Sequence, residues 1–529
     1  MQSRVDPWLI GVLLLPLAVM SVAILYLIPP DMDIFNHYHA LACRYYPNAI
    51  YHAYREACNG IMDLHLFGVI PWPRSYNYVG AAYSILYYPF FLLWPDWHGV
   101  AVFDALLMVP GVIAASRLLR VRLPVATLAL ITPFPVLFYI LRDYGQLTLQ
   151  FSLLYVIPWV AMHAVQTPKR YRWLALNMAG GILLALGVES KPLFAYYVPS
   201  IAIVTMAACW SLREGPLALI LLLLKRLWPG MLLCGMLLAI LFTARDDAGR
   251  MYFSNLGSQV PSEMGFDVFS GHLAYILSNH WLNFPNASYI YYGLRDTFPD
   301  SGHTDWVGIV ITLPFWLVFF GGALALSKKQ TDEAEKYHDR IYVGLLLAAV
   351  AGVICVTADL HANNPHHILQ PFYYLLGMLA IIFQQCMERR PRLFVLLGFI
   401  FVSAQIVCTG YAAARQPMVA HDWERLKVLD FIKEHNLAQN TIIDHLDWGL
   451  YYMSSLYGPR EQLVTFDAPP EAMMELGEKL GRDVVFIKLV SPTSNERDAQ
   501  LSALPGMRVV FKQQDFGGWE IWTNAAVTP

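Results

Sequence analysis

The sequence is poor in charged residues. Only 14% of its 529 residues are Asp, Glu, Lys or Arg, whereas 57% are hydrophobic. An ordinary soluble domain has about 25% charged residues, so this composition is typical of a protein that lies in a lipid bilayer. The net charge of -3 leaves no excess of basic residues to neutralise nucleic-acid phosphates. Nucleic acid is therefore not an expected partner.

Several informative motifs are also missing. The seven cysteines include no Cys-x-x-Cys pair, which excludes the simplest zinc and dithiol sites. There is no internal repeat, and matched pairs of broken helices, typical of inverted-repeat transporters, are not evident. Cys43 and Cys58 lie together in a predicted outward loop, where an oxidising compartment would permit a disulfide.

Long apolar runs recur through most of the chain. Each is long enough to cross about 30 Å of hydrocarbon as a helix. The N-terminal run lacks a small-residue cleavage site and is too long for a signal peptide, so it is predicted to remain as a membrane anchor. We predict about eleven spans, at 8–28, 100–118, 123–140, 147–165, 173–188, 192–210, 228–243, 306–326, 341–358, 368–385 and 392–411.

One further apolar segment, from Tyr78 to Trp94, is rich in aromatic residues and is interrupted by Pro89. If it lies along the membrane surface, every cluster of Lys and Arg falls on the cytoplasmic side, as short basic loops do. If it crosses the membrane, all clusters but the first move outside. We therefore predict a juxtamembrane helix, a cytoplasmic N-terminus and an outward C-terminus. The outward loops are then 29–99, 141–147, 189–191, 244–305 and 359–367.

From about Ala412 the composition becomes that of a soluble domain. The segments WERLKVLDFIKEHN, WGLYYMSSLYG and PEAMMELGEKLGRD are helix-like, whereas TIID, QLVTF, VVFIKLV and MRVVFK are strand-like. This alternation predicts an extracytoplasmic α/β domain over 412–529, after a transmembrane module over 1–411. Because the domain has no phosphate loop, nucleophile elbow or metal-ligand spacing, it is more typical of a lid or acceptor platform than of a catalytic centre.

Polar residues collect in the outward turns. Asp31 and Asp33 follow the first span directly, although acidic residues also simply cap helices. The short turn ILRDYGQ brings Arg142, Asp143 and Gln146 to the bilayer edge, where ionisable groups are costly unless they are paired or functional. An internal ion pair between Arg142 and Asp143 would also explain that turn.

Two more outward turns contribute cationic and imidazole groups. Lys191, in GVESKPLFAYY, is suited to a lipid phosphate, although Lys also snorkels routinely to the membrane interface. In DLHANNPHHILQ, the adjacent His366 and His367 lack the i, i+4 spacing of a helical metal site and would otherwise be hydrogen-bonded polar groups. No single motif is strong, but the convergence of these turns on one face predicts a site there.

This pattern resembles the GT-C superfamily, membrane glycosyltransferases that take a sugar from a polyprenyl-phosphate carrier, and in particular its protein-mannosyltransferase-like members. The similar segments are DMDIFNHYH, YVGAAYSILYYPFFLLW, RDYGQLTLQF, ESKPLFAYYVP and IIDHLDWGLYYMSSLYG. The chain departs from the oligosaccharyltransferase type, because no Asp-x-Glu pair occurs in the second outward turn. It also has His366 and His367 where several relatives place Arg and Tyr.

The resemblance implies inverting transfer of a sugar from a polyprenyl phosphate to an acceptor hydroxyl. Asp33 would be the general base, with Asp31 as the substitute candidate, and the long loop 244–305 would form a sugar-facing wall. Residues implied to bind the donor and its phosphate are Lys191, Arg142, Asp143, Gln146, His366 and His367. No cofactor is expected, although Asp31, Asp33 and Asp143 could hold a divalent cation.

The expected partners are the lipid-linked donor, membrane lipid, and a glycan, lipid or protein acceptor. A bacterial inner membrane, with the C-terminal domain in the periplasm, is the preferred location. Three other classes stay open. A lipid or solute transporter should line its spans with polar residues, a non-catalytic scaffold would use the C-terminal domain for partners, and a polymerase with a pyrophosphate-linked donor should have more outward arginine.

Overall fold

The structure, a computed structural model, forms two compact units. The first comprises Met1–Ile28, Ala101–Ala244 and Arg250–Met418, and the second comprises Pro29–Val100, Arg245–Gly249 and Val419–Pro529. The domain boundary at 411/412 stays a prediction. The residues that the structure describes are 7–27, 65–66, 70–71, 82–94, 97–142, 145–212, 215–243, 270–271, 273, 306–326, 333–357, 369–415, 421–437, 441–445, 463–466, 469–489, 495–512 and 518–526.

As far as Arg415 the described chain is almost entirely helical, apart from an antiparallel ribbon of β1 (His65–Leu66) and β2 (Ile70–Pro71). A 3₁₀ turn spans Pro192–Tyr197. The helices are α1 (Pro7–Leu27), α2 (Ala82–Leu93), α3 (Trp97–Leu119), α4 (Leu123–Leu130), α5 (Phe134–Arg142), α6 (Gly145–Gln166), α7 (Arg170–Ser190), α8 (Val198–Cys209), α9 (Pro216–Thr243), α10 (Trp306–Leu326), α11 (Glu333–Val356), α12 (Leu369–Arg389) and α13 (Pro391–Arg415).

The predicted polytopic helical fold is confirmed. Within the described residues, seven helices are long and apolar enough to cross a membrane, or eight if the bent pair α4 and α5 counts as one span. Three more predicted spans coincide with α1, α10 and α12, which are helices of 21 residues each. The chain is therefore an integral membrane protein.

The predicted span 123–140 is helical but sharply bent. It divides into α4 and α5, which meet at 86°. Pro133 and Pro135 lack an N–H group, and Pro133 disfavours helical backbone at Thr132. The Phe134 N–H group at the start of α5 donates a hydrogen bond of 2.8 Å to Gln405 Oε1 on α13. A neighbouring helix thus satisfies a backbone donor that the bend leaves without an intrahelical partner.

The segment predicted to be juxtamembrane contains α2, a helix of 12 residues. At 1.5 Å per residue it is about 18 Å long, shorter than the roughly 30 Å of bilayer hydrocarbon. This helix alone does not cross a membrane. On one face of it the Tyr83 and Tyr87 rings are stacked, with centroids 6.3 Å apart.

Hydrogen bonds pair the elements that carry basic clusters. The Tyr337 hydroxyl donates to Leu118 O over 2.7 Å, and the Arg122 N–H group donates to Gln384 Oε1 over 2.9 Å. These bonds hold the turn after α3 against the start of α11 and the end of α12. The clusters of Lys and Arg on these elements therefore lie together, as expected if they share one side of the membrane. Which side of the membrane they face stays a prediction.

Helices α7 and α9 cross through small residues. A Cβ atom on Gly230 would lie 2.6 Å from Asn177 O, which is backbone and cannot move alone. Gly181 faces the Gly230 carbonyl from the other side of the crossing. The two helices therefore approach closely only because these positions have no side chain.

We expect Gly230→Ala to force α7 and α9 apart and to lower the free energy of unfolding by about 1–3 kcal/mol. Gly235→Ala, in the same helix, is the matched control, because a Cβ atom there meets nothing within 4 Å. Thermal unfolding of the detergent-solubilised protein compares the two variants. Equal melting temperatures would contradict the close approach of the helices.

The C-terminal α/β domain is built on a five-stranded sheet of order β4-β3-β5-β7-β6. β3 pairs in parallel with β4 and β5, whereas β7 is antiparallel to β5 and β6. The predicted strands coincide with β3 to β6, and the predicted helix WGLYYMSSLYG lies outside the described residues. The elements are α14 (His421–Glu434), β3 (Thr441–His445), β4 (Leu463–Phe466), α15 (Pro470–Leu480), β5 (Asp483–Leu489), α16 (Asn495–Ser502), β6 (Arg508–Lys512) and β7 (Trp519–Thr523).

Both faces of this sheet are covered by helices. Ile443 and Val485 point to one face and pack with Ile432 of α14, whereas Ile442 and Val484 point to the other. On that second face the partners are Met473 of α15 and Leu501 of α16. Burial on both faces explains why apolar residues stand next to one another in β3 and β5, at 442–443 and 484–487, rather than alternating with polar ones.

A buried ion cluster links the central strands. Lys488 on β5 lies directly opposite Glu520 on β7, with Lys488 Nζ 3.0 Å from Glu520 Oε2, and it also contacts Asp498. Lys512 on β6 contacts the other Glu520 oxygen at 2.6 Å. Burial raises the pKa of Glu520, but hydrogen bonds from Lys512, Lys488 and Trp522 outweigh it and hold the pKa below the ordinary value of 4.5.

We expect Glu520→Gln to lower the free energy of unfolding of this domain by about 3 kcal/mol, because Lys488 loses a buried counter-charge. Hydrogen exchange of β5 and β7 in the full-length protein measures the change. Because the folded pKa is depressed, this stability is present above pH 4.5 and is lost as the pH falls through the folded pKa. Lys512→Met, which removes an exposed partner, should have a much smaller effect, and equal effects of the two substitutions would contradict the argument.

Candidate functional site

Lys191 stands where α7 is broken. Its backbone is extended, with φ -155° and ψ 118°, and Pro192 then begins the 3₁₀ turn. A proline lacks the N–H group that a helix needs and disfavours helical backbone in the residue before it, so the Lys-Pro pair ends α7. The Phe194 N–H group donates to Lys191 O over 2.9 Å. The backbone of Lys191 is thus held from both sides.

The end of α7 is buried although it is charged. Glu189 is 0% exposed and Lys191 is 1% exposed. A lysine that only snorkels keeps its ammonium group in water, so the burial of Lys191 argues against that explanation. Buried charges are costly unless they are compensated, and two opposite charges here lie within three residues of the sequence.

The 3₁₀ turn folds back tightly on α7. A Cβ atom on Gly187 would overlap the Phe194 ring, so glycine is needed at that position. Phe194 and Tyr197 meet edge to face, with centroids 6.2 Å apart. Ser190 Oγ donates to Gly187 O over 2.8 Å and satisfies a carbonyl of the last turn. Lys191 therefore lies in a rigid, closely packed corner.

A chain of buried hydrogen bonds joins this corner to two other helices. The Tyr197 hydroxyl donates to Gln370 Oε1 over 3.0 Å, and Gln370 Nε2 donates to Gln150 Oε1 over 2.7 Å. Tyr197 ends the 3₁₀ turn, Gln370 begins α12, and Gln150 lies near the start of α6. The three elements are thereby fixed at one level.

Helices α6 and α12 run parallel to each other from the hydrogen bond between Gln150 and Gln370 onwards. Phe151 stacks on Tyr373 with centroids 4.7 Å apart, and the Tyr155 hydroxyl donates to Tyr373 O over 3.2 Å. Tyr155 fits because Gly377 has no side chain, since a Cβ atom there would overlap the hydroxyl. Contacts that advance together along both helices show that α6 and α12 begin at the same end of the bundle.

The 3₁₀ turn and α12 follow the predicted outward turns 189–191 and 359–367, and α6 begins within the predicted turn 141–147. The structure therefore brings together elements next to three of the predicted turns. Arg142 is the last residue of α5, Gln146 lies in the first turn of α6, and Lys191 directly precedes the 3₁₀ turn. The assigned roles of these residues stay predictions. Lying outside the described residues are Asp31, Asp33, Asp143, His366, His367, Cys43, Cys58 and nearly all of loop 244–305.

Metal binding is likewise a matter of prediction. In the part of the chain that the structure describes, no group of three or more His, Cys, Asp or Glu side chains is placed to hold a metal ion. The three aspartates that the sequence offers for a cation lie elsewhere in the chain.

Sequence reasoning missed Gln150, Gln370 and Tyr197. A signal was present, because Gln150 is a polar residue inside a predicted span, and intramembrane polar groups are costly unless they are paired or functional. The partner of each residue could not be read from the sequence.

The fold is that of the GT-C membrane glycosyltransferases, as the sequence motifs predicted. The structure resembles the crystal structure of ArnT from Cupriavidus metallidurans bound to undecaprenyl phosphate, with a TM-score of 0.50, 12% identity, and coverage of 98% of this chain and 99% of that one. Apo ArnT from the same organism gives a TM-score of 0.42 at 14% identity, with coverage of 98% and 99%. The Archaeoglobus fulgidus oligosaccharyltransferase in complex with Zn and sulfate gives 0.43 at 12% identity, with coverage of 90% and 67%. No protein-family model and no curated protein sequence matches the chain.

Proposed function

We propose that the protein is an inverting glycosyltransferase that moves a sugar from a polyprenyl-phosphate donor to an acceptor hydroxyl on the outer face of the membrane. The observation that carries the proposal is the buried Lys191, held at the end of an apolar helix in a GT-C fold. The ArnT relative with this fold was crystallised with undecaprenyl phosphate, which is the leaving group of such a reaction.

In the proposed reaction the acceptor oxygen attacks the anomeric carbon from the face opposite the phosphate. The new C–O bond forms as the bond to the phosphate oxygen breaks, and that oxygen leaves with the electron pair. Asp33 takes the proton of the acceptor hydroxyl, with Asp31 as the substitute candidate. Attack opposite the leaving group inverts the anomeric centre.

The charge that develops on the departing phosphate needs a fixed cation. Lys191 suits this role because a buried ammonium group acts in a medium of low effective dielectric constant and needs little reorganisation. Arg142, at the end of α5, is the second cation of the proposal, and Asp143, Gln146, His366 and His367 complete the donor site. The C-terminal domain would serve as lid or acceptor platform in the periplasm of a bacterium.

The proposal is tested with the purified full-length protein in lipid nanodiscs. Radiolabelled polyprenyl-phosphate sugars and the corresponding nucleotide sugars are supplied in parallel, with membrane extract as the source of acceptor. We expect label to move to the extract only from the lipid-linked donors, with release of polyprenyl phosphate. In a parallel preparation in lipid vesicles, movement of intact donor across the bilayer without cleavage of the glycosidic bond would instead establish a transporter.

A further inference from the structure

The series of hydrogen bonds from Tyr197 through Gln370 ends at the Gln150 amide. Gln150 Oε1 accepts from Gln370, whereas Gln150 Nε2 is buried and has no hydrogen-bond partner among the described residues. The Gln150 side chain is 0% exposed, so bulk solvent does not reach it. The series of hydrogen bonds from Tyr197 through Gln370 therefore leaves the two Nε2 hydrogens of Gln150 without an acceptor among the described residues.

Other unused polar atoms lie near this amide in sequence and along the two helices. Within the described part of the bundle, Thr148 Oγ1, Tyr373 Oη and Tyr374 Oη are buried and have no hydrogen-bond partner. Thr148 and Gln150 lie in the first two turns of α6, and the two tyrosines lie in the first two turns of α12. Both helices begin at the same end of the bundle, next to the corner that holds Lys191.

A buried donor without a partner has lost its water and gained nothing, so folded proteins keep very few of them. For the Gln150 amide, at the end of the bundle next to the corner that holds Lys191, a bound ligand is the natural source of the missing acceptor. The ligand must offer oxygen atoms, because the Gln150 amide group has only donors left to use.

We infer that the Gln150 amide is a donor-binding group, whose Nε2 hydrogens donate to an acceptor oxygen of the lipid-linked substrate. The inference rests on the proposed function and adds a neutral contact to its charged phosphate site. The oxygen belongs to the phosphate or to a hydroxyl of the sugar, and both present the same acceptor to the amide. Tyr197 and Gln370 are positioning residues, which fix the orientation of Gln150.

Gln150→Glu is the informative variant. A glutamate keeps the oxygen that accepts from Gln370 and keeps the length of the side chain, but it replaces the two N–H donors with an oxygen. We expect the KM for the lipid-linked donor to rise about 10-fold or more, because a hydrogen bond to a ligand oxygen becomes a repulsion, and the melting temperature to fall, because an unpaired carboxylate is costly in the interior. Gln150→Met, which is neutral, should show the same direction of change.

Gln384→Met is the matched control. Gln384 lies near the other end of α12 and accepts from the Arg122 N–H group, so its loss affects stability but not a donor contact. A purely structural role for Gln150 would give Gln150→Met and Gln384→Met similar falls in melting temperature and unchanged KM values. That result would overturn the inference.

A binding measurement with sugar-free undecaprenyl phosphate shows whether the acceptor oxygen belongs to the phosphate or to the sugar. Weaker binding of this lipid to Gln150→Glu identifies a phosphate oxygen, whereas unchanged binding with a raised KM for the sugar-bearing donor identifies a sugar hydroxyl. If Gln150→Glu changed neither the binding of undecaprenyl phosphate nor the KM for the sugar-bearing donor, the inference about Gln150 would be overturned, while the proposed function would stand. If the unsubstituted protein neither bound the lipid phosphate nor transferred sugar, the proposed function would fail, and the role of Gln150 with it.

Discussion

Replacing Asp33 by Asn is expected to reduce sugar transfer about 10²- to 10⁴-fold, while donor binding and folding are retained. The amide has nearly the same shape as the carboxylate but cannot accept the proton of the attacking hydroxyl. The measurement is transfer of radiolabelled sugar at matched expression, with donor binding and melting temperature determined on the same preparations.

Asp31→Asn serves as the neighbouring control, because it removes the same charge two positions away. We expect a much smaller effect from it than from Asp33→Asn. Full transfer by Asp33→Asn would show that Asp33 is not the base, and Asp31 and Asp143 would be tested next. A protein that tolerated all three substitutions would favour the non-catalytic scaffold.

Lys191→Met should lower the transfer rate about 10²- to 10³-fold, the usual loss when one preorganised donor to a developing negative charge is removed. The size of the effect follows from burial, since Lys191 is 1% exposed and water cannot take over its role. Steady-state kinetics should show a fall in kcat/KM, and phosphate binding by the variant should also weaken.

The double variant Lys191→Met with Glu189→Gln separates catalysis from charge balance. If Lys191 only compensated the buried Glu189, removing both charges would restore transfer. We expect instead that the double variant regains melting temperature but remains inactive, because the leaving phosphate still lacks its cation. Recovery of transfer would rule out the phosphate role.

Most of the membrane fold could be predicted from the sequence because a long apolar run has few other structures open to it. The bend in the span 123–140 could not be foreseen so simply. Its two prolines were visible, but the bend is satisfied by Gln405, 271 residues away from Phe134. Strand β7 was missed because it has only five residues, and its Glu520 is buried through contacts with Lys488 and Lys512 that the sequence does not signal.

The candidate site was also predictable only in part, because its position follows from the local sequence and its contacts do not. Turns with charged residues between apolar runs predict where a site should be, and one such turn contains the buried Lys191, whose role stays a prediction. The hydrogen bond between Gln150 and Gln370 joins residues 220 positions apart, and neither residue signals its partner locally. Hydropathy and charge identify the level of the site, whereas its internal contacts depend on how distant helices pack.

The buried hydrogen bonds that join Tyr197, Gln370 and Gln150 also constrain which substitutions can accumulate at these three positions. Losing one member leaves its neighbour unpaired in the interior, at about 1–3 kcal/mol, whereas replacing all three by apolar side chains of similar shape can be nearly neutral. Single changes are thus barriers between two states that are acceptable for stability alone, because the apolar state would lack the donor contact inferred for Gln150. These three positions should therefore be inherited as one unit wherever that contact is kept.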